Sequence, residues 1–301
     1  MIKAIVNPAA SGGRVAQQWP QIAQALGQRG LVFDADLTTH PRHATDLARA
    51  ALAAGYREFI SVGGDGTFNE VLNGIIVGGM PHPQVTMSVI PGGTGSDWAR
   101  VLGIPRSPLD AAKSVFTQPI RAVDVGEISC YRDGQPEKRY FANVAGLGFD
   151  GEVCIRVNRS SKRLTGTLPY VTSLVLTLFS YRNKDVELVV DGQCIRGRFN
   201  SIAICSGQYY GGGMHIAPQA VVDDGLFDVV ILKDLNRLEL LANLPRVYNG
   251  THLTHPKVQS LRGSQVSVTS EQRTYIQAEG ELVGETPAQI RMIPASLRLS
   301  A

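Results

Sequence analysis

The chain has 301 residues, 44% hydrophobic and 18% charged, with 29 Lys+Arg against 26 Asp+Glu and a net charge of +3. That balance excludes a nucleic-acid binder acting through bulk charge, which needs a basic patch or run. Apolar residues recurring along the whole length exclude a disordered chain. In chain order, Ile2–Val6 is a short apolar run ending in Asn7-Pro8 and a glycine-rich turn. Val15, Trp19, Ile22 and Leu26 then fall at helical spacing, with Gly30 as a stop. The pattern continues as strand Leu31–Leu37, helix Ala44–Ala54, strand Phe59–Val62, helix Phe68–Ile76, strand Val85–Ile90 and helix Asp97–Leu102. Such alternation predicts a mostly parallel sheet covered on both faces, with ligands at the carboxyl ends of its strands.

From about Arg121 short β-rich runs dominate: Ala122–Ser129, Arg139–Ala145, Val186–Val190, Arg198–Cys205, Leu226–Leu232, Gln265–Thr269, Arg273–Ala278 and Gln289–Ile293. Turn signals such as Asp133-Gly134 and Asp191-Gly192 separate several of them, as in antiparallel sheets. Helical stretches interrupt near Leu168–Phe179 and Leu235–Val247. The expected fold is an α/β N-terminal domain over 1–121 and a β-rich, mainly antiparallel second domain over 122–288. Residues 289–301 are a candidate for return to the first domain.

The N-terminal apolar run is too short for a signal-peptide core. Thr172, Ser173, Thr177 and Ser180 interrupt the longest apolar stretch, Tyr170–Tyr181, which falls short of the ~18 residues a spanning helix needs. Cys130, Cys154, Cys194 and Cys205 show neither a C-x-x-C pair nor metal spacing. These features lead us to expect a cytoplasmic protein with reduced thiols.

Ser61-Val62-Gly63-Gly64-Asp65-Gly66-Thr67-Phe68-Asn69-Glu70 runs from strand through glycines into helix. Exposed backbone N–H groups and a helix N-terminus make a phosphate cradle there. A carboxylate in that cradle makes sense with a divalent cation between it and the phosphates. Taken alone, the run is equally a tight turn capped by Asp65. Ile90-Pro91-Gly92-Gly93-Thr94-Gly95-Ser96-Asp97 repeats the design, and Asn7-Pro8-Ala9-Ala10-Ser11-Gly12-Gly13-Arg14 is a third such turn. With no Gly-Lys pair, and no G-x-G-x-x-G between strand and helix, neither a P-loop enzyme nor a Rossmann dehydrogenase fits.

These three runs together resemble the diacylglycerol kinase catalytic-domain family, which includes sphingosine kinases and soluble bacterial lipid kinases. Its second-domain landmarks also stand here: Gly211-Gly212-Gly213, Pro218, Asp224-Gly225-Leu226-Phe227-Asp228, Glu279-Gly280-Glu281 and Ile293-Pro294-Ala295-Ser296-Leu297. The resemblance covers essentially the whole chain. It implies an ATP- and Mg²⁺-dependent kinase phosphorylating a lipid hydroxyl such as that of diacylglycerol, with peripheral membrane contact and no nucleic acid; a homodimer is compatible. Carried over, the nucleotide site is Asn7, Thr38, Gly64, Asp65, Gly66, Thr67, Phe68, Asn69, Glu70, Gly93 and Thr94. The family's structural magnesium site maps to Asp224 with Val221 and Leu226, a sequence that also reads as a plain Asp-Gly β-turn.

Transfer to a hydroxyl needs a carboxylate to take the proton. The family's Asp-Gly-Glu base motif corresponds to Glu279-Gly280-Glu281, so the resemblance makes Glu279 the base, supported by Glu281, Asp65 and Asp97. The same residues read as a charged hairpin turn. Ser96 and Ser206 stand where the family usually has Asn. Two further readings stay open: an NAD kinase-like enzyme with a soluble acceptor, and a nucleotide- or lipid-binding homologue without turnover. Ser161–Arg182 is apolar with basic flanks, as an interfacial segment would be, although a core helix is the favoured reading. The series Leu238, Leu241, Leu244 and Val247 is likewise expected in a core. His215, His252 and His255 lack zinc spacing and are expected at the surface.

Overall fold

The computed structural model describes residues 1–93, 95–160 and 176–300. Thr94 and most of the candidate interfacial segment, 161–175, lie outside them. The chain divides into two units, Met1–Val125 with Ile293–Ala301, and Gly126–Met292.

The first unit runs β1 (Ile2–Val6), α1 (Ala10–Gln28), β2 (Phe33–Leu37), α2 (His43–Ala53), β3 (Glu58–Gly63), α3 (Asp65–Gly74), a two-strand ribbon β4 (Ile76–Val77) and β5 (Met80–Pro81), then β6 (Thr86–Pro91), α4 (Asp97–Val101) and α5 (Pro108–Ser114). β1 pairs in parallel with β2 on one side and β3 on the other, and β3 pairs in parallel with β6. Strands β1, β3 and β6 are almost wholly buried, as expected for a sheet covered on both faces. Gly74 lets α3 approach α2: a Cβ there would come within 2.5 Å of the Ala48 Cβ. Arg29, at the end of α1, donates to the carbonyls of Ala112 and Val115 at 2.7 Å each, tying down α5.

The second unit contains β7 (Ile120–Arg132, from Gly126), β8 (Gln135–Phe141), β9 (Val144–Gly148), α6 (Phe149–Ser160), β10 (Lys184–Val190), β11 (Gln193–Cys205), β12 (Phe227–Lys233), the helix Arg237–Tyr248, β13 (Val258–Gly263), β14 (Gln265–Ser270), β15 (Tyr275–Ala278) and β16 (Glu281–Ser300, to Met292). Six of its strands pair antiparallel and close on themselves, in the order β16, β14, β10, β11, β9, β15 and back to β16. Closure leaves no free edge in that ring. Its interior is filled by Leu147, Leu188, Ile204, Val268, Ile276 and Ile290, each at most 1% exposed.

The last residues of β16 belong to the first unit, where Arg298 and Leu299 pair in parallel with Thr86 and Met87 of β6. Two expectations are corrected and a third holds in part. Leu238 and Leu241 are 77% and 47% exposed and the helix Arg237–Tyr248 fully buries none of its residues; of this series only Val247, half-buried, packs against a core cluster. His252 is 1% exposed, its Nε2 2.9 Å from the Ile216 carbonyl, so it is an interior residue. Of the predicted helix over 168–179, the described part is helical and half core: Thr177 and Leu178 are 1% and 5% exposed, whereas Leu176 and Phe179 are 53% and 60% exposed. Among the described residues no helix is long and apolar enough to cross a membrane.

Candidate functional site

The chain leaves β1 for β2 on one side and returns for β3 on the other. Such a reversal opens a crevice at the carboxyl ends of the two strands. The side chains that follow β1 and β3 meet there. Asn7 donates from its Nδ2 to the Thr67 hydroxyl at 3.0 Å, while its backbone N–H holds the Val62 carbonyl at 2.9 Å. Thr38, at the end of β2, donates its N–H to the Val6 carbonyl at 2.8 Å and is half-buried. Ser11, Gly12 and Gly13 take positive φ values of 51°, 68° and 90°, so the backbone coils tightly before the regular part of α1 begins. The Ser11 hydroxyl donates to the Gly92 carbonyl at 2.7 Å.

The two glycine loops touch backbone to backbone. Gly92 donates its N–H to Gly63 at 2.7 Å, and a Cβ on Gly93 would come within 2.7 Å of the Gly64 Cα. A Cβ on Gly63 would meet the Thr67 hydroxyl at 2.5 Å. Any side chain at these positions would fill the space in front of the first turn of α3, whose leading amides have no partner within the helix. This is the construction an anion requires.

Asp65 accepts from the backbone N–H groups of Asp97 and Trp98 at 2.9 and 3.2 Å. It therefore caps α4, not the helix it begins. Burial pushes its carboxyl pKa up, and the Asp97 N–H bond only partly opposes this. Asp97 is 3% exposed, with Arg100 Nη1 3.8 Å from its Oδ1. Glu70 accepts from the N–H groups of Arg42 and Ala44 at 2.9 and 3.1 Å and so holds the start of α2. Phe68 is 3% exposed and packs on Trp98, ring centroids 5.6 Å apart, and Asn69 is fully buried. The structure thus gathers Asn7, Gly64, Asp65, Gly66, Thr67, Gly93 and Asp97. Phe68, Asn69 and Glu70 support that group from behind. Thr94 lies outside the described residues.

In the second unit, Glu279-Gly280 is the two-residue turn between β15 and β16. Ala278 pairs with Glu281, and φ is 53° at Glu279 and 81° at Gly280. Positive φ at both central positions defines a type I′ turn, which favours Asn or Asp before Gly. Glu279 is held there by its own carboxylate: Oε1 accepts from the N–H groups of Ala142 and Asn143 at 3.0 and 2.7 Å. Glu281 is exposed at the start of β16.

In the Asp224 loop the carboxylate is paired within the protein. One carboxylate oxygen accepts the Leu226 N–H at 3.0 Å and the other contacts the Arg262 guanidinium. Arg262 also lies 3.5 Å from the buried Asp228. The positive charge beside Asp224 comes from an arginine, and Val221 is 43% exposed. Sequence reading passed over Asp150, whose carboxyl pKa burial pushes up to about 6 despite bonds to Ser201 and Tyr210. The only signal for it was the tight Gly148-Phe149-Asp150-Gly151 spacing.

Comparison with known proteins agrees with this architecture. The diacylglycerol kinase catalytic domain matches residues 1–128, and the YegS C-terminal NAD kinase beta sandwich-like domain matches residues 143–301. A diacylglycerol kinase of Bacillus subtilis is 31% identical over 286 residues, covering 95% of this chain and 91% of that one. A diacylglycerol kinase of Mycobacterium tuberculosis is 29% identical over 300 residues, covering 99% and 94%. The crystal structure of a diacylglycerol kinase from Bacillus anthracis superposes with a TM-score of 0.72 at 21% identity over 99% of this chain and 95% of that one, which shows the shared fold. The chain belongs to the diacylglycerol kinase family of YegS-like lipid kinases.

Proposed function

We propose that this protein transfers the γ-phosphate of ATP to the hydroxyl of a membrane lipid of the diacylglycerol class, with Mg²⁺ as its cofactor. The observation that carries the reading is the glycine-on-glycine cradle at the β1/β3 reversal, with two carboxylates behind it, the half-buried Asp65 and the buried Asp97. The cradle amides and Thr67 would receive the phosphates, and the two aspartates suit a hydrated Mg²⁺. When bound, that ion neutralises charge on the phosphate oxygens.

The second unit supplies the proton acceptor. The lipid oxygen forms a bond to the γ-phosphorus as the bond from phosphorus to the departing ADP oxygen breaks, and the hydroxyl proton passes to the Glu279 carboxylate. The two backbone N–H bonds on Oε1 fix that carboxylate in orientation, which is what a general base within about 2.6–3.2 Å of its proton needs.

Transfer of labelled phosphate from Mg²⁺–ATP into lipids in mixed micelles tests the activity, with chromatography identifying the product. Glu279→Gln keeps the shape and the amide-accepting oxygen while removing basicity. We expect turnover to fall by about 10²–10⁴-fold with nucleotide affinity unchanged. Wild-type turnover in this variant would remove Glu279 from the mechanism. Label appearing in NAD and in no lipid would replace the acceptor assignment.

A further inference from the structure

The Glu279 turn draws little support from its own hairpin. The β15–β16 ladder shifts register between Ile276 and Gln277, so the turn is closed by two pairs, Gln277 with Leu282 and Ala278 with Glu281. Gly280, at the tip, is gripped from both sides by side chains outside the turn. Its N–H donates to Gln277 Oε1 at 2.9 Å, and its carbonyl accepts from Cys154 Sγ at 3.0 Å. Gly280 is exposed, whereas Gln277 and Cys154 are 4% and 7% exposed. Water could satisfy both polar groups of an exposed glycine. What two buried side chains add is a fixed orientation.

Both anchors belong to one layer of contacts. Ile276 and Ala278 fill the interior, so Gln277 between them faces the other side of the strand, where α6 lies. Two glycines seat α6 there. A Cβ on Gly151 would come within 2.4 Å of the Tyr275 carbonyl oxygen, and one on Gly146 would meet Gln277 Nε2 at 2.6 Å and Asp150 Oδ2 at 2.7 Å. Asp150 and Cys154, four residues apart in α6, share a helix face. Burial pushes the Cys154 thiol up to about 12, so it keeps the proton that it donates to Gly280.

We propose that Gln277 and Cys154 are positioning residues for the proton acceptor, holding Gly280 from both sides so that the Glu279 carboxylate keeps one orientation toward the lipid hydroxyl. The inference rests on the reading of Glu279 as the base. The test measures lipid phosphorylation by the full chain with a variant at each anchor. Gln277→Leu removes the acceptor with little change in volume, Cys154→Ala removes the donor, and Cys154→Ser restores one. Melting of each variant checks its folding, and the Cys154 pair tests the second anchor should Gln277→Leu not fold.

Gln277→Leu and Cys154→Ala are expected to lower kcat by about 10–100-fold, as an ångström-scale misplacement does, with the KM for Mg²⁺–ATP unchanged. Cys154→Ser is expected to recover most of that loss. The acidic limb of the pH–rate profile should move to higher pH in Gln277→Leu, because a carboxylate released from its amide donors is more basic. Adding Gln277→Leu to Glu279→Gln should lower kcat no further, since Gln277 acts through the base. Wild-type kcat in Gln277→Leu, equal kcat in Cys154→Ala and Cys154→Ser, or effects that multiply in the double variant would each overturn the proposal. Hydrogen exchange at the Gly280 amide needs no turnover and should quicken by about tenfold in Gln277→Leu, with Ile276 and Ala278 unchanged. Unaltered exchange would show that Gln277 does not hold the turn, whereas quickened exchange with wild-type turnover in Glu279→Gln would place the failure in the base assignment.

Discussion

Asp150 carries a charge in surroundings that oppose it. Burial raises its carboxyl from 3.8 to about 6, and the Tyr210 hydroxyl donates to Oδ2 at 3.3 Å. Because the folded-state value lies above the unfolded one, the protonated form is the one folding favours. The favourable contribution is complete below about pH 4 and is lost as pH rises through about 6. At pH 7 the ionised carboxylate therefore costs up to about 3 kcal/mol, since each tenfold change in proton affinity is worth ~1.4 kcal/mol. Asp150→Asn keeps the shape without the charge. Its unfolding midpoint should exceed that of the wild type at pH 7, and the advantage should shrink to nothing near pH 4. A difference independent of pH would show that the Asp150 charge is not what folding opposes.

The acids of the Gly-Gly-Asp-Gly-Thr run mark what single residues can and cannot tell. Their place in or beside a glycine loop between strand and helix was legible from residue type and spacing. Their partners were not: Asp65 bonds the amides of residues 97 and 98, and Glu70 those of residues 42 and 44. Such bonds depend on how three helices are brought to one edge of a sheet, and no local pattern encodes that. Glu279 follows the same logic, since the amides that hold it come from residues 142 and 143.

Among the elements, the two glycine loops act as one. Gly64 and Gly93 approach so closely that a single methyl group on Gly93 must push the loops apart, because the nearest atom is backbone, with no side chain that could turn away. Gly93→Ala should cost about 1–3 kcal/mol in stability, the range for overpacking a tight contact, and should weaken ATP binding measured by titration. Nucleotide affinity equal to wild type would show that the loop separation is not critical to the phosphate cradle. The main helices and strands of the first unit, from β1 to α4, were legible because period 3.6 alternates with apolar runs, whereas the short β4–β5 ribbon and α5 were not. Two elements of the second unit were not. α6 carries Val153, Ile155 and Val157, whose spacing of two imitates a strand, and Gly151 weakens its first turn. β13 (VQSLRG) is short and half-buried, with too few apolar residues to declare a face.

At the scale of the whole chain, the sheet of the first unit is completed by the end of the sequence. Leu297 and Leu299 are at most 1% exposed, Ser300 accepts from the Ser88 hydroxyl at 3.0 Å, and Ala295 donates to Asp124 at 2.6 Å. Sequence reading could name this segment as a candidate to return. Its parallel register on β6 was not readable, because the two strands are separated by the entire second unit and pairing across that distance leaves no local trace. The consequence is an asymmetry between two leucines of similar hydropathy. Leu297→Ala opens a cavity in the first unit and should cost about 2–5 kcal/mol, a large share of the ~5–15 kcal/mol that holds a domain together. Leu238→Ala, at 77% exposure, should change stability by less than about 0.5 kcal/mol. Urea unfolding of the two variants side by side measures the contrast. Equal midpoints would mean that residues 293–300 pack on β6 without contributing to its core.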